Sequence, residues 1–248
     1  MKAIVLSCDR YHPFTEHMIA SYQAIWPSHQ FTFRIPYQQY PQQLNDKFGS
    51  GIELISTPAD IKQTVLTLIS DLQDDEWIYW CIDDKYLVDI DEDSASSCFE
   101  WVNKITDPSV CGVMFCRCRK LLDSANLYTK NTLSSPHGNQ YIQRRNYYQI
   151  WVPQFMRIKV LRELFLGFPD RAFSAKEMDV FTRQEPGMIV KPFNKTDRMY
   201  VSSHNHACFG ESTVGGQVTQ NCQMSMRKYG ISFEGFEVSH KEIIIGKI

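Results

Sequence analysis

Trp77–Asp91 reads WIYWCIDDKYLVDID, and its character changes abruptly in the middle. Trp77–Ile82 is almost wholly apolar and runs straight into Asp83-Asp84, with Asp89 and Asp91 close behind. Apolar residues at successive positions imply a strand covered on both faces, as in the centre of a parallel sheet. In open parallel sheets ligands bind beyond the carboxyl ends of the strands. Asp83 and Asp84 therefore stand where a ligand is expected. Two carboxylates there are hard oxygen ligands of the kind a magnesium or manganese ion takes while keeping positions for phosphate oxygens. A solvated turn in which Asp84 caps the next element accounts for the same residues.

Working outward, strand and helix signals alternate. Ala3–Ser7 reads as a buried strand. Phe14, Met18, Tyr22 and Ile25 recur at helical spacing until Pro27 stops them. Phe31–Ile35 is a second strand. Thr57 followed by Pro58 gives a helix start, with Ile61, Val65, Leu68 and Leu72 forming its apolar stripe. Downstream of the acidic turn, Ala95, Cys98, Phe99, Val102 and Ile105 predict a helix, and Val110–Cys116 a strand. Arg117–Gln149 is polar, rich in Asn and Ser, and reads as a long irregular loop of the functional kind, a lid over the site. Beyond it the pattern predicts a strand around Tyr148–Val152 and helices near Arg157–Leu166 and Ala175–Thr182. Strands near Ile189–Phe193 and Met199–Ser202, a Gly-rich loop and a helix near Thr219–Tyr229 complete it. Alternation of this kind predicts an α/β fold, a mostly parallel sheet with helices on both faces. No repeat or linker divides the 248 residues, so a single domain is expected.

Composition narrows the function. With 28 acidic against 26 basic side chains the net charge is −2, which argues against broad nucleic-acid binding. No stretch approaches the roughly 20 apolar residues of a bilayer span. The opening MKAIVLSCDRYHPF has too short an apolar run for a signal peptide, so a cytoplasmic protein is expected. Of the eight cysteines, Cys8, Cys81, Cys98, Cys111 and Cys208 lie in or beside apolar segments and read as small core side chains. Cys116 and Cys118 form a lone C-x-C, with no second pair at zinc-site spacing.

The acidic turn at a strand end resembles the Asp-x-Asp-type motif of GT-A glycosyltransferases of bacterial or phage type. VLSCDRYHPFTEHMIASYQAIWPSH resembles their first strand, loop and helix, with an "S-C-D-x-Y" string and a "W-P" helix end. YYQIWVPQFMRIKVL is similar to their acceptor-side stretch, FSAKEMDVF to their "W-E-x-E" helix and TVGGQV to their late "G-G-K-W" loop. The resemblance is patchy but runs in order along nearly the whole chain. It implies a GT-A-like (Rossmann-like) fold, with residues 1–116 as the nucleotide-binding half and 117–248 as the acceptor and catalytic half. It also implies a transferase of the hexosyltransferase kind. Such an enzyme moves a sugar from a UDP- or GDP-type nucleotide-diphosphate sugar to a glycan or lipid-linked saccharide, inverting configuration with help from Mn2+ or Mg2+.

Two departures stand out. Ile82-Asp83-Asp84-Lys85 is not a strict Asp-x-Asp. Either Asp84 alone coordinates the metal, with Asp83 on the ribose or behind the ligands, or Lys85 partly replaces the ion's charge. Gln217-Val218 stands where the family has Lys-Trp, which puts one phosphate contact at Gly216-Gln217 in doubt.

On this reading Ser7, Asp9 and Arg10, at the first strand's end, face the base, ribose and diphosphate. An ordinary turn is the alternative. Asp179 and Glu177 are the candidate general bases for the acceptor hydroxyl. Asp179 ranks first, because Ser174 and Glu177 also make a capping box that explains Glu177 by itself. His204 and His206 lie two apart, so on a strand they would share a face and join Asp84 on the metal; otherwise they are loop residues. Arg144 and Arg145 offer a paired clamp for a diphosphate or anionic acceptor, or a solvated loop. The rivals are a sugar nucleotidyltransferase, disfavoured because SCDRYHPF lacks the Gly-rich loop such enzymes show after the first strand, and a catalytically silent nucleotide- or carbohydrate-binding module.

Overall fold

The computed structural model describes residues 1–116, 128–145, 150–170, 174–183 and 196–246. The expected strand near Ile189–Phe193 lies outside the described residues, as do Arg117, Arg119, Lys120, Tyr147 and Tyr148. In chain order the strands are β1 (Lys2–Leu6), β2 (Thr32–Tyr37), β3 (Ile52–Ser56), β4 (Trp77–Ile82), β5 (Lys85–Ile90), β6 (Val110–Met114) and β7 (Tyr128–Ser134). They continue as β8 (Gln140–Arg144), β9 (Gln154–Arg157), β10 (Arg198–Ser202), β11 (Ala207–Glu211), β12 (Thr213–Val214), β13 (Gln217–Val218) and β14 (Ile244–Ile245). The helices are α1 (His12–Ile25), α2 (Gln42–Phe48), α3 (Ile61–Leu68), α4 (Glu92–Lys104), α5 (Ile158–Gly167), α6 (Ala175–Arg183) and α7 (Gln220–Lys228).

Among the described residues one sheet holds β3-β2-β1-β4-β9-β6-β10-β8-β7 in that order. Only β9 and β8 run against the rest, so the sheet is mostly parallel in strand direction. Both faces are covered. On one, Ala3, Val5, Tyr79 and Cys81 meet α1, α4 and α7 through Phe14, Met18, Tyr22, Cys98, Val102 and Met226. On the other, Ile4, Leu6, Ile78 and Trp80 meet α3, α5 and α6 through Val65, Leu68, Leu161, Phe165 and Met178. Strand side chains alternate between faces, so β1 from Ala3 onward and β4 throughout need apolar residues at successive positions, and they have them. The described cysteines except half-buried Cys8 are buried and act as core side chains.

Several expectations are corrected. The cap of α3 is Asp60, whose carboxylate accepts from Gln63 N at 2.9 Å, and not Thr57. The Thr57 hydroxyl accepts instead from the Gln38 amide at 3.2 Å. Of the strand expected at Tyr148–Val152, Tyr148 and Gln149 lie outside the described residues, Ile150–Val152 form a turn and bend, and β9 begins at Gln154. β9 then pairs antiparallel with β4 and β6. The described part of Arg117–Gln149 is no irregular lid: β7 and β8 form a hairpin on the sheet's edge. Its polar residues misled because an edge strand carries polar side chains without loss.

The acidic turn is also shorter than the sequence suggests. The chain leaves β4 at Ile82, spends two residues on Asp83-Asp84, and re-enters extended structure as β5. β5 belongs to a second sheet, β14-β11-β5. The register there pairs Lys85 with Glu211 and Ile90 with Ala207. Gly210 makes this pairing close: a Cβ on it would sit 2.3 Å from the Tyr86 ring. The Tyr86 hydroxyl accepts from the Asn221 amide at 2.7 Å.

Candidate functional site

β1 and β4 are in register, Leu6 opposite Ile82, so their carboxyl ends lie side by side. The Asp83 amide extends the pairing by donating to Leu6 O at 3.2 Å. This places Ser7, Cys8, Asp83 and Asp84 at one point on the sheet's edge. Asp83 is buried. Burial first, then the neighbouring Asp84 charge, hold its carboxyl well above the usual carboxylate range, against the pull of a Ser7 hydrogen bond and of Lys85. Ser7 is in turn bonded to the Thr15 hydroxyl of α1 at 2.7 Å.

A short 3-10 turn, Asp9–Tyr11, carries the chain from β1 into α1. Burial raises the pKa of the Tyr11 hydroxyl, Asp83 adds to the rise, Arg10 opposes it, and Cys8 and Asp84 add a little more. Arg10, Tyr11, Cys8 and the two carboxyls therefore share one electrostatic neighbourhood. Arg10 is exposed, its guanidinium 5.6 Å from the Phe236 ring centre. Phe236 also packs edge-on against Tyr11 and Phe14, with centroids 5.9 and 4.8 Å apart. The stretch after α7 thus walls one side of the site.

The opposite side is built by β11 and the turn after it. The Lys85 ammonium is 2.8 Å from Asp84 Oδ1 and 3.6 Å from Glu211 Oε1, and the lysine is buried. The Ser212 amide donates to Asp84 O at 2.7 Å. From Ser212 the chain enters the β12–β13 hairpin, whose loop residues Gly215 and Gly216 have φ of 59° and 82°. Two positive-φ residues in a two-residue loop make the primed turn that matches strand twist, which explains the glycine pair. The Gln217 side chain donates to Glu237 at 3.1 Å and so ties this hairpin to the chain's last segment.

Of the residues singled out from the sequence, Ser7, Arg10, Asp83 and Asp84 gather here, with the Gly216-Gln217 hairpin next in the chain to Ser212. Asp9 is in the right loop, but its oxygens accept from the amides of Gln38 and Gln39 at 2.9 and 2.8 Å. It fastens the loop after β1 to the loop after β2. The Arg144–Arg145 clamp does not form. Arg144 is buried with Nη1 on Gln154 Oε1 at 2.8 Å, whereas Arg145 is exposed with Nε on Tyr128 O at 2.8 Å. Arg144 is the last residue of β8 and Arg145 lies in the bend beyond it, so the two side chains take different partners.

His204 and His206 do not join Asp84. His206 precedes β11 and its carbonyl accepts from Asp91 N, at the end of β5 remote from Asp84. Six strand residues at roughly 3.3 Å each span the gap. His206 is buried and bonded to the Ser202 hydroxyl at 2.9 Å, while His204 is exposed beside Ser203.

The residues at the turn do not fit a divalent ion of the magnesium or manganese type. Asp84 already holds the Lys85 ammonium, and the Asp83 side chain is buried. Among the described residues no three acidic, histidine or cysteine side chains come together as a metal group. Little in the amino-acid sequence signals Glu211 and Ser212, which long-range pairing of β11 with β5 brings to Asp84.

On the other layer, α6 packs by Met178 and Phe181. The capping box exists: Glu177 Oε2 accepts from Ser174 N at 2.8 Å, and Glu177 N donates to Ser174 Oγ at 3.2 Å. Asp179 is half-buried and outside that box.

The buried Asp83 makes a pH prediction. A carboxyl whose folded pKa is raised binds its proton more tightly folded than unfolded, so stability falls as pH rises from the unfolded value, about 4, through the folded one. Asp83→Asn is expected to raise the melting temperature at pH 7 relative to the parent, with the advantage shrinking toward pH 4. Parallel melting curves across that range check it; an advantage independent of pH would contradict it.

No family model matches the chain, and no curated protein matches it. It is similar to a fragment of TarS from S. aureus at 12% identity, covering 83% of this chain and 59% of that one, TM-score 0.48. It is also similar to 4-diphosphocytidyl-2C-methyl-D-erythritol synthase from Anaerococcus prevotii at 8% identity, covering 92% and 95%, TM-score 0.45. A further similar structure is the galactosyltransferase LgtC in complex with donor and acceptor sugar analogues, at 11% identity, covering 73% and 69%, TM-score 0.37.

Proposed function

We propose that the chain is a glycosyltransferase that binds a UDP- or GDP-type nucleotide-diphosphate sugar at the adjoining ends of β1 and β4. It transfers the sugar, with inversion, to a hydroxyl of a glycan or lipid-linked saccharide. The observation that carries this reading is the convergence of Asp83, Asp84, Lys85, Arg10 and Tyr11 at the carboxyl edge of parallel strands, where such sheets bind ligands. Tyr11 offers a ring face and a hydroxyl, and Arg10 and Lys85 offer charge for phosphate oxygens. Asp179 of α6 takes the acceptor's hydroxyl proton as that oxygen attacks the anomeric carbon and the nucleoside diphosphate departs. Glu177 is held by its own helix cap. Transfer takes place on the cytoplasmic side. Among the described residues no helix is long and apolar enough to cross a membrane.

A thermal-shift series with nucleoside diphosphates tests the reading. One base is expected to stabilise the protein by about 2.7 kcal/mol at a hundred times its Kd, a melting shift of roughly 5–10 °C for a chain of this size. No shift with any nucleoside diphosphate would overturn it. A silent binding module is the second reading, favoured by the ion pair that closes Asp84. Nucleotide binding without turnover of any donor sugar, measured as release of nucleoside diphosphate, would establish it. A nucleotidyltransferase is disfavoured by the turn after β1, Cys8–Tyr11, which has no glycine.

A further inference from the structure

Phe236 belongs to the last stretch of the chain, yet its ring lies among residues of the turn after β1 and the start of α1. Its centroid is 4.8 Å from that of Phe14 and 5.9 Å from that of Tyr11, both edge-on. Tyr11 and Phe14 are themselves 5.4 Å apart, so the three rings form one cluster. Arg10 stands over the Phe236 ring, with Cζ 5.6 Å from its centroid, within the reach of cation–π attraction. Among the described residues Arg10 has no hydrogen-bonded or ion-paired partner, so this ring is the contact that orients its guanidinium. The strap that brings the ring here is fastened on both sides of it by other bonds. Phe236 N donates to Phe233 O at 3.2 Å across the turn at Gly235, whose φ is 84°. Beyond the ring, Val218 N donates to Glu237 O and Ser239 N to Val218 O, each at 2.8 Å, which ties the strap to β13. The Gln223 side chain of α7 donates to Ser239 O at 3.2 Å and holds it from the other side.

We propose that Phe236 is a positioning residue of the donor site: its ring, held by the strap, sets the Arg10 guanidinium at the ends of β1 and β4, where it receives phosphate oxygens of the donor. The proposal rests on the reading of the chain as a nucleotide-diphosphate-sugar transferase. An exposed arginine samples many rotamers, and fixing them when a ligand arrives costs affinity. A ring already under the guanidinium removes part of that cost before the donor binds. The five N–H donors of a guanidinium lie in its plane, so one that rests against a ring keeps them for an anion. Tyr11 packs against the same ring, and the two site residues of the turn therefore share one support. The same strap also connects the two sides of the site. Ser212, whose amide donates to Asp84 O, leads directly into the β12–β13 hairpin, and β13 is the strand to which the strap is bonded. Arg10 and the acidic turn come from different strands, yet both are tied to this one hairpin and strap. Phe236 acts through Arg10 and takes no part in bond making or breaking.

Titration of the full chain with UDP and GDP tests this, the nucleotide that binds the parent better being used throughout. Phe236→Leu is expected to weaken binding roughly three- to fivefold, the worth of a cation–π contact at an exposed site, and Phe236→Tyr to restore most of the loss. Arg10→Gln is expected to weaken binding at least as much. Adding Phe236→Leu to Arg10→Gln is then expected to cost less than about 1.5-fold more, because the ring has no guanidinium left to hold. An equal loss from Phe236→Leu with and without Arg10 overturns the proposal, and so does unchanged affinity in Phe236→Leu alone. A trifluorinated phenylalanine at position 236 guards against a folding defect in the leucine variant, since it keeps the ring's shape while withdrawing negative charge from its face. It is expected to weaken nucleotide binding roughly twofold at an unchanged melting temperature; unchanged affinity overturns the proposal. Binding by the parent that is indifferent to every change at Phe236 removes the positioning role and leaves the transferase reading intact. Absence of binding of either nucleotide to the parent overturns the transferase reading, and with it the ligand for which Arg10 is held.

Discussion

Asp179→Asn is expected to lower the rate of sugar transfer by roughly two to four orders of magnitude, the usual worth of a positioned general base, with donor affinity changed by less than about twofold. Asn keeps the size of the side chain and most of its hydrogen bonding but cannot accept the acceptor's proton. Asp179 sits on α6 and is not among the residues gathered at the ends of β1 and β4, so the donor's contacts there are left as they are. Its neighbour Glu177 supplies the control. That carboxylate accepts from both the amide and the hydroxyl of Ser174 at 2.8 Å. Glu177→Gln should therefore act on the start of the helix, costing up to about 1 kcal/mol of stability with modest loss of rate. Initial rates at saturating donor and acceptor, with melting curves for both variants, separate the two roles. If Glu177→Gln abolishes turnover at unchanged stability while Asp179→Asn stays active, the base is Glu177.

Arg157→Leu is expected to destabilise the protein by about 3 kcal/mol, lowering the melting temperature by roughly 6–12 °C. Arg157 ends β9 at the edge of the sheet away from the site and is buried. Its guanidinium donates to Val110 O at 3.0 Å, Asp75 O at 2.5 Å and Ile105 O at 3.0 Å, and lies 4.8 Å from the Trp77 ring centre. One side chain thus joins the approaches to β4 and β6, the strands on either side of β9. Leucine fills part of the volume but leaves those carbonyls without their donor, and an unpaired buried polar group is expensive. Lysine, a single point of charge in place of a planar fork, should recover less than half of the loss. Melting curves for the leucine and lysine variants check both statements; a loss under about 1 kcal/mol for leucine would show that water or a local shift replaces the guanidinium.

The two helical layers and the central strands were legible in the amino-acid sequence, because their signals are local. Trp77–Ile82 can only be a strand buried on both faces, and it is β4. The stripe Ile61, Val65, Leu68 defines the buried side of α3, and Phe14, Met18 and Tyr22 that of α1. Asp83-Asp84 stands at a strand's carboxyl end for the same reason: an apolar run must stop where charge begins. The capping box of α6 spans four residues, Ser174 to Glu177, and needs nothing from elsewhere in the chain.

What required tertiary structure was every relation between distant segments. Two histidines two apart invited a shared metal, yet the register of β11 on β5 carries them to the far end of the strand from Asp84. The same register brings Glu211 and Ser212 to it. Adjacent arginines suggested a clamp, but β8 ends at Arg144, which is buried, while Arg145 in the bend beyond it is exposed. A polar stretch looked like a loop because an edge hairpin buries too little to show an apolar period. Lys85 could be read from the sequence as a charge near two aspartates. Only the pairing of β5 with β11 decided that its ammonium lies on Asp84, because strand register fixes where a side chain can reach and composition does not.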